Sequence, residues 1–151
     1  MVRLFGGLNK KIQQGQKGRN KSLNVLKQAL LPSDKVIWLH CASLGEYEQG
    51  LPVFEALKQE YKGYKFVMTF FSPSGYEIRK DNPIADVVVY IPLDQKAAVK
   101  SFLDVVHPEL VVFVKYDIWP NYLLEIKRRN ITSILISALF RPSQAYFKFY
   151  G

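Results

Sequence analysis

The chain has 151 residues, 21 Lys+Arg against 13 Asp+Glu, two His, one Cys and a formal net charge of +8. That length suits one domain able to bury a core without disulfide or metal staples, and a composition 48% hydrophobic and 14% aromatic excludes a disordered chain. A single cysteine excludes an internal disulfide, which fits a reducing compartment.

The charge is concentrated at one end. Residues 1–35 carry eight bases, Arg3, Lys10, Lys11, Lys17, Arg19, Lys21, Lys27 and Lys35, against Asp34 alone, whereas residues 36–151 carry 13 bases and 12 acids. The expected organisation is a basic leader over 1–35 and a near-neutral α/β domain over 36–151. No window reaches the roughly 18 consecutive apolar residues of a membrane span, and no secretory apolar stretch precedes a small-residue cleavage site, so the chain is expected to be soluble. Gly6, Gly7, Gly15 and Gly18 are expected to interrupt any helix in the leader. Ser22 would then cap a short amphipathic helix over 23–31, whose leucines at 23, 26 and 30 follow a helical period. The lysines are either a solvated face of that helix or a surface for anionic lipid, where each base is worth about 1 kcal/mol.

From Lys35 onward, short β-branched runs alternate with amphipathic stretches. Strands are expected over 36–40, 65–70, 86–90, 110–114 and 132–136, and their near-continuous apolar character implies a sheet covered on both faces. Asp94 is expected to cap a helix carrying the stripe Val99, Phe102, Leu103 and Val106, which Pro108 ends. Trp119, Tyr122, Leu123 and Ile126 form the stripe of another, which Pro120 opens. Strands alternating with helices give a doubly wound, mostly parallel, Rossmann-like sheet.

In such sheets, ligands bind beyond the carboxyl ends of the strands. Three turns lie there: 40–46 after the first strand, 71–76 after the second and 115–121 after the fourth. All three are small or polar and open helices, whose first N–H groups favour an anion. Glu46, beside Ser43 and Gly45, can be held ionised by backbone donors and accept a proton from a substrate hydroxyl. Glu is equally at home in a first helical turn for dipole reasons, and the residues alone leave both readings open. Ser72, Pro73, Ser74 and Gly75 are likewise ordinary turn residues. His40 and Cys41 are strand neighbours that point to opposite faces, and two histidines with one cysteine lack zinc-ligand spacing. His107 suits a helix C-terminus. The sequence has no G-x-G-x-x-G, no Walker sequence and no nucleic-acid motif.

Taken in order, these blocks resemble the amino-terminal domain of the Kdo transferases of bacterial lipopolysaccharide assembly. Trp38, His40, Ala42, Ser43, Gly45 and Glu46 match the pattern W-x-H-x-A-S-x-G-E. Ser72-Pro73-Ser74-Gly75 looks like the family's Ser/Thr-x-x-Gly turn, and Asp117-Ile118-Trp119-Pro120-Asn121 its acidic-x-W-P-N block. The resemblance implies the amino-terminal half of a GT-B glycosyltransferase, whose second, donor-binding domain lies outside this chain. It implies transfer of Kdo from CMP-Kdo to a hydroxyl of a lipid A precursor, with inversion, at the cytoplasmic face of the inner membrane. No metal or cofactor is implied, and the isolated domain would be inactive. Carried over by position, Glu46 is the general base, while Ser43, Gly45, Ser72, Ser74, Gly75, Lys115, Asp117 and Arg141 lie on the acceptor side. Lys115 stands where many members have an acid, and Ser137-Ala138-Leu139-Phe140-Arg141 replaces a frequent Asn-x-Arg-x-Ser block. Both bases are expected to help hold phosphate or carboxylate. The rival reading is a stand-alone flavodoxin-like or Rossmann-like binding module with a membrane-directed basic leader.

Overall fold

Five Val- and Ile-rich runs, Val36–Cys41 (β1), Lys65–Phe70 (β2), Val87–Tyr90 (β3), Leu110–Val114 (β4) and Thr132–Ile136 (β5), pair into one all-parallel sheet in the order β3-β2-β1-β4-β5. The structure, a computed structural model, describes residues 2–115 and 118–139, with side chains from residue 13 onward. Helices Val2–Ala29 (α1), Leu44–Glu60 (α2), Pro73–Arg79 (α3), Lys96–Val106 (α4) and Pro120–Arg128 (α5) precede and connect the strands. The α/β, doubly wound, Rossmann-like architecture read from the alternation is the one observed.

Each face of the sheet has its own core. On one, Leu26 and Leu30 of α1, Phe102 and Leu103 of α4, and Tyr122 and Ile126 of α5 pack on Trp38, Val67, Val89, Val111 and Phe113. On the other, Tyr47 and Phe54 of α2 pack on Ile37, Leu39, Phe66, Met68, Phe70, Val112 and Val114. Trp38 is fully buried, with its ring 4.8 Å from Phe102, 5.5 Å from Phe113 and 5.4 Å from Tyr122. Aromatic pairs at these separations add to the area they bury. Coverage on both faces holds for β1 to β4. It does not hold for β5, an edge strand with the polar Thr132 and Ser133, which is exposed from Thr132 to Leu135.

Two expectations about helix ends are corrected. The leader is not broken at its glycines: α1 runs without interruption through Gly6, Gly7, Gly15 and Gly18. Ser22 does not cap it but lies buried in mid-helix, its hydroxyl donating to the Gly18 carbonyl one turn back at 3.2 Å. At Gly18 the missing side chain serves packing, since a Cβ there would lie 2.3 Å from the Tyr90 ring. Propensity alone penalises glycine in a helix by about 1 kcal/mol. Here the close approach of α1 to β3, and the burial of Leu26 and Leu30 that goes with it, outweighs the penalty.

Asp94 does not cap α4, whose N-cap is Gln95. Its carboxylate instead accepts the backbone N–H groups of Asn121 and Tyr122, at 3.2 Å each, in the first turn of α5. The Asn121 side chain returns a hydrogen bond to the Asp94 carbonyl at 2.8 Å. The same orphan-donor chemistry that makes Asp a cap is thus used across 27 residues rather than locally. Asp94→Ala is expected to cost about 1–2 kcal/mol by the usual worth of a cap. For a chain of this size that is a fall in Tm of about 2–8 °C. Asn121→Ala, which leaves both capping bonds in place, is expected to cost less; thermal unfolding of the two variants checks the order.

His107 ends α4 as expected, in a left-handed conformation (φ 36°), with ring nitrogens 2.9 Å from the Val105 carbonyl and 3.1 Å from that of Asp34. No helix among the described residues is long and apolar enough to cross a membrane. The helix α1 carries seven bases and no acid.

Candidate active site

The strand order reverses between β1 and β4, and the crevice beyond the carboxyl ends of those two strands is where open α/β sheets take ligands. The turn after β1 is built by a local device. Ser43 occupies the N-cap of α2 in extended conformation (φ −142°, ψ 170°), and Glu46 sits three residues on. Its Oε2 accepts the backbone N–H of Ala42 at 2.5 Å and that of Ser43 at 3.3 Å, the reach-back of a capping box. No hydrogen bond reaches Oε1 among the described residues. The carboxylate is half-buried and held in one orientation, with one oxygen occupied and the other available to a proton. The capping and proton-accepting readings of Glu46 are therefore compatible, because the cap fixes the orientation of the carboxylate.

The turn after β2 is tied to this one through Ala42. While the Ala42 N–H holds Glu46, its carbonyl accepts the Ser72 N–H at 2.8 Å. Ser72 caps α3, its Oγ accepting the Ser74 N–H at 3.3 Å and lying 2.8 Å from the Ser74 hydroxyl. Gly75 is buried against the entry of α2: a Cβ there would come 2.5 Å from the Phe70 ring and 3.2 Å from the Leu44 nitrogen. Gly45 is different. It is exposed, its backbone φ is unexceptional, and a Cβ would meet nothing within 4 Å.

The turn after β4 is described in part. Lys115 takes a left-handed conformation (φ 62°), half-buried, its N–H bonded to the Ile136 carbonyl at 2.8 Å. Trp119 is the N-cap of α5, with Pro120 in the first turn and Asn121 engaged by Asp94. Asp117 and Arg141 lie outside the described residues. Ser43, Gly45, Glu46, Ser72, Ser74 and Gly75 are thus brought together around two adjoining turns. Lys115 follows β4, on the other side of β1 from the Ser72–Gly75 turn.

One base at this edge escaped the sequence reading, which counted Arg19 only as leader charge. Its Nη2 donates to the Phe71 carbonyl at 2.8 Å, and its guanidinium lies 4.4 Å from the centre of the Phe71 ring. Partial burial lowers its pKa from the ordinary value, with the Tyr90 hydroxyl opposing. Phe71 in turn meets Trp119 at 5.2 Å between ring centres, so α1 reaches the turn after β2 and is linked through Phe71 to the turn after β4. The signal for this is tertiary: only the docking angle of α1 brings Arg19 to the sheet edge. A cavity of about 610 Å³, lined among others by Arg19, Asn20, Leu23, Pro92 and Leu93, flanks the edge on that side. Glu46 is not among the residues that line this cavity. Among the described residues no three His, Cys, Asp or Glu side chains converge as a metal site would require.

The family described as 3-deoxy-D-manno-octulosonic-acid transferase (kdotransferase), by its amino-terminal glycosyltransferase domain, matches residues 9–150. A 3-deoxy-D-manno-octulosonic acid transferase of Chlamydia pneumoniae is 33% identical over 136 residues, covering 85% of this chain and 31% of that protein. Those of Haemophilus influenzae and Aquifex aeolicus are 30% and 29% identical, each over 78% of this chain and over 28% and 32% of their own lengths. The chain therefore spans about a third of the length of these relatives. With the match running through nearly the whole chain and the turns around Glu46 built as described, the chain belongs to the 3-deoxy-D-manno-octulosonic acid (Kdo) transferase family, as its amino-terminal domain.

Proposed function

We propose that this chain is the acceptor-binding half of an inverting glycosyltransferase that moves Kdo from CMP-Kdo to a hydroxyl of a lipid A precursor. The observation that carries the reading is the Glu46 carboxylate, fixed by the Ala42 and Ser43 N–H groups on Oε2 and unbonded on Oε1 among the described residues. Oε1 takes the proton of the acceptor hydroxyl as that oxygen forms its bond to the anomeric carbon of Kdo. The bond from that carbon to the CMP phosphate breaks on the opposite face, and CMP leaves with the electron pair, so the configuration inverts. Placement of the base in this way pre-sets the geometry that proton transfer needs.

The hydroxyls of Ser72 and Ser74, tied to the same turn through Ala42, suit polar groups of the acceptor. Lys115, and Arg141 outside the described residues, supply positive charge for phosphate or carboxylate. Donor binding is assigned to a second domain beyond this chain, in keeping with the third of its relatives' length that the chain covers. The seven bases of α1 suit an anionic membrane surface, in keeping with a reaction at the cytoplasmic face of the bacterial inner membrane.

The complete enzyme, incubated with CMP-Kdo and a lipid A precursor, is expected to give a Kdo-bearing lipid of inverted anomeric configuration. This chain by itself is expected to give none. Consumption of a different nucleotide sugar in place of CMP-Kdo would reassign the reaction.

A further inference from the structure

His40 is a buried titratable group that the reaction just described leaves without a part. It lies one residue before the end of β1, in a line of three fully buried polar groups: Trp38 Nε1 donates to Thr69 Oγ1 at 2.8 Å, and the same Oγ1 lies 2.8 Å from His40 Nδ1. The proton positions along this line follow from donor and acceptor capacity. An indole N–H can only donate, so one lone pair of Oγ1 is taken. The Thr69 hydroxyl carries one proton of its own, and among the described residues its remaining partner is His40 Nδ1. Were Nδ1 protonated, Oγ1 would accept from both sides and its proton would face no acceptor, in a place closed to solvent. On the Nδ1 side of the ring, the line is satisfied only when Nδ1 is bare.

We propose that Trp38 and Thr69 are positioning residues that fix His40 as a neutral imidazole with its proton on Nε2. With no exposure, His40 does not touch substrate; it acts through what it supports. Its ring meets Trp119 edge-on at 5.7 Å and Phe113 at 5.8 Å, and Trp119 in turn meets Phe71, over which Arg19 lies. The hydrogen-bonded line therefore sets the angle of the ring on which the turns after β1, β2 and β4 come together. A neutral ring also adds no positive charge to the edge where Glu46 accepts its proton. This gives the Trp-x-His spacing of β1 a physical reason: residues 38 and 40 share one face of the strand and meet Thr69, the register partner of His40 on β2, from both sides. The assignment concerns protons within the chain and holds whichever acceptor the edge binds.

The test is the ring-nitrogen pattern of His40 at pH 7 in the ¹⁵N-labelled chain, read from long-range ¹H–¹⁵N correlations and assigned by comparison with His40→Gln. The expected pattern is an unprotonated Nδ1 and a protonated Nε2. Thr69→Ser, which keeps the hydroxyl, is expected to preserve it, and Thr69→Val to lose the single-tautomer signature. Trp38→Phe frees a lone pair of Oγ1 and is expected to shift the population toward a protonated Nδ1, a readout that remains if the valine variant does not fold. A proton on Nδ1 in the wild-type chain, an imidazolium, or a pattern unchanged in every folded variant among Thr69→Val and Trp38→Phe overturns the proposal.

Discussion

Replacing Glu46 by Gln in the complete enzyme is expected to lower turnover by about 10²–10⁴-fold, the usual worth of a positioned general base. Stability should barely move. The amide oxygen of Gln can still accept the Ala42 and Ser43 N–H groups, and capping boxes use Glu and Gln alike. Glu46→Ala removes the cap as well, so it is expected to match the Gln variant in turnover while losing about 0.5–2 kcal/mol of stability. Turnover at saturating acceptor, set beside thermal unfolding of the same variants, separates the two contributions. A Gln variant with near wild-type turnover removes Glu46 from the chemistry and leaves it a capping residue.

That two-variant comparison is possible because the site's central element is local in sequence. Ser43 and Glu46 are three residues apart, and a Ser-x-x-Glu ahead of an apolar helix is legible as a helix start. Strands β1 to β4 were legible for a related reason: buried parallel strands leave unbroken runs such as Val111–Val114, with no need to know their neighbours. What could not be read depends on distant partners. Gly18 looks like a helix breaker until the ring of Tyr90 is placed against it, 72 residues later. Asp94 carries every mark of a cap for the helix beginning two residues on, and its preference for N–H donors was read correctly; the donors belong to α5. Arg19 was visible as charge and invisible as part of the edge, because its approach to Phe71 depends on how α1 lies across β3. Composition located the charge, and only the packing gave one of the bases a place beside the site.

Gly45→Ala tests what the open space next to Glu46 is for. Glycine at an exposed helical position is worth roughly 0.5–1 kcal/mol less than alanine, and it is usually excused by a positive φ or by a close neighbour. Gly45 has neither. Alanine there is therefore expected to stabilise the domain by about 0.5–1 kcal/mol, a rise in Tm of about 1–4 °C. If the acceptor hydroxyl approaches Oε1 of the neighbouring residue, the same methyl group stands in its path. A displacement of about 1 Å in a reacting pair costs on the order of 10²-fold in rate, so the full enzyme is expected to become more stable and much slower at once. Gly75→Ala supplies the contrast: its Cβ meets the Phe70 ring and the Leu44 backbone, so stability and activity should fall together. An alanine at 45 that raises Tm and leaves turnover intact would mean that the acceptor reaches Glu46 from another side. The opposite signs of the two effects at position 45 cannot arise from a fault in folding, since such a fault lowers both.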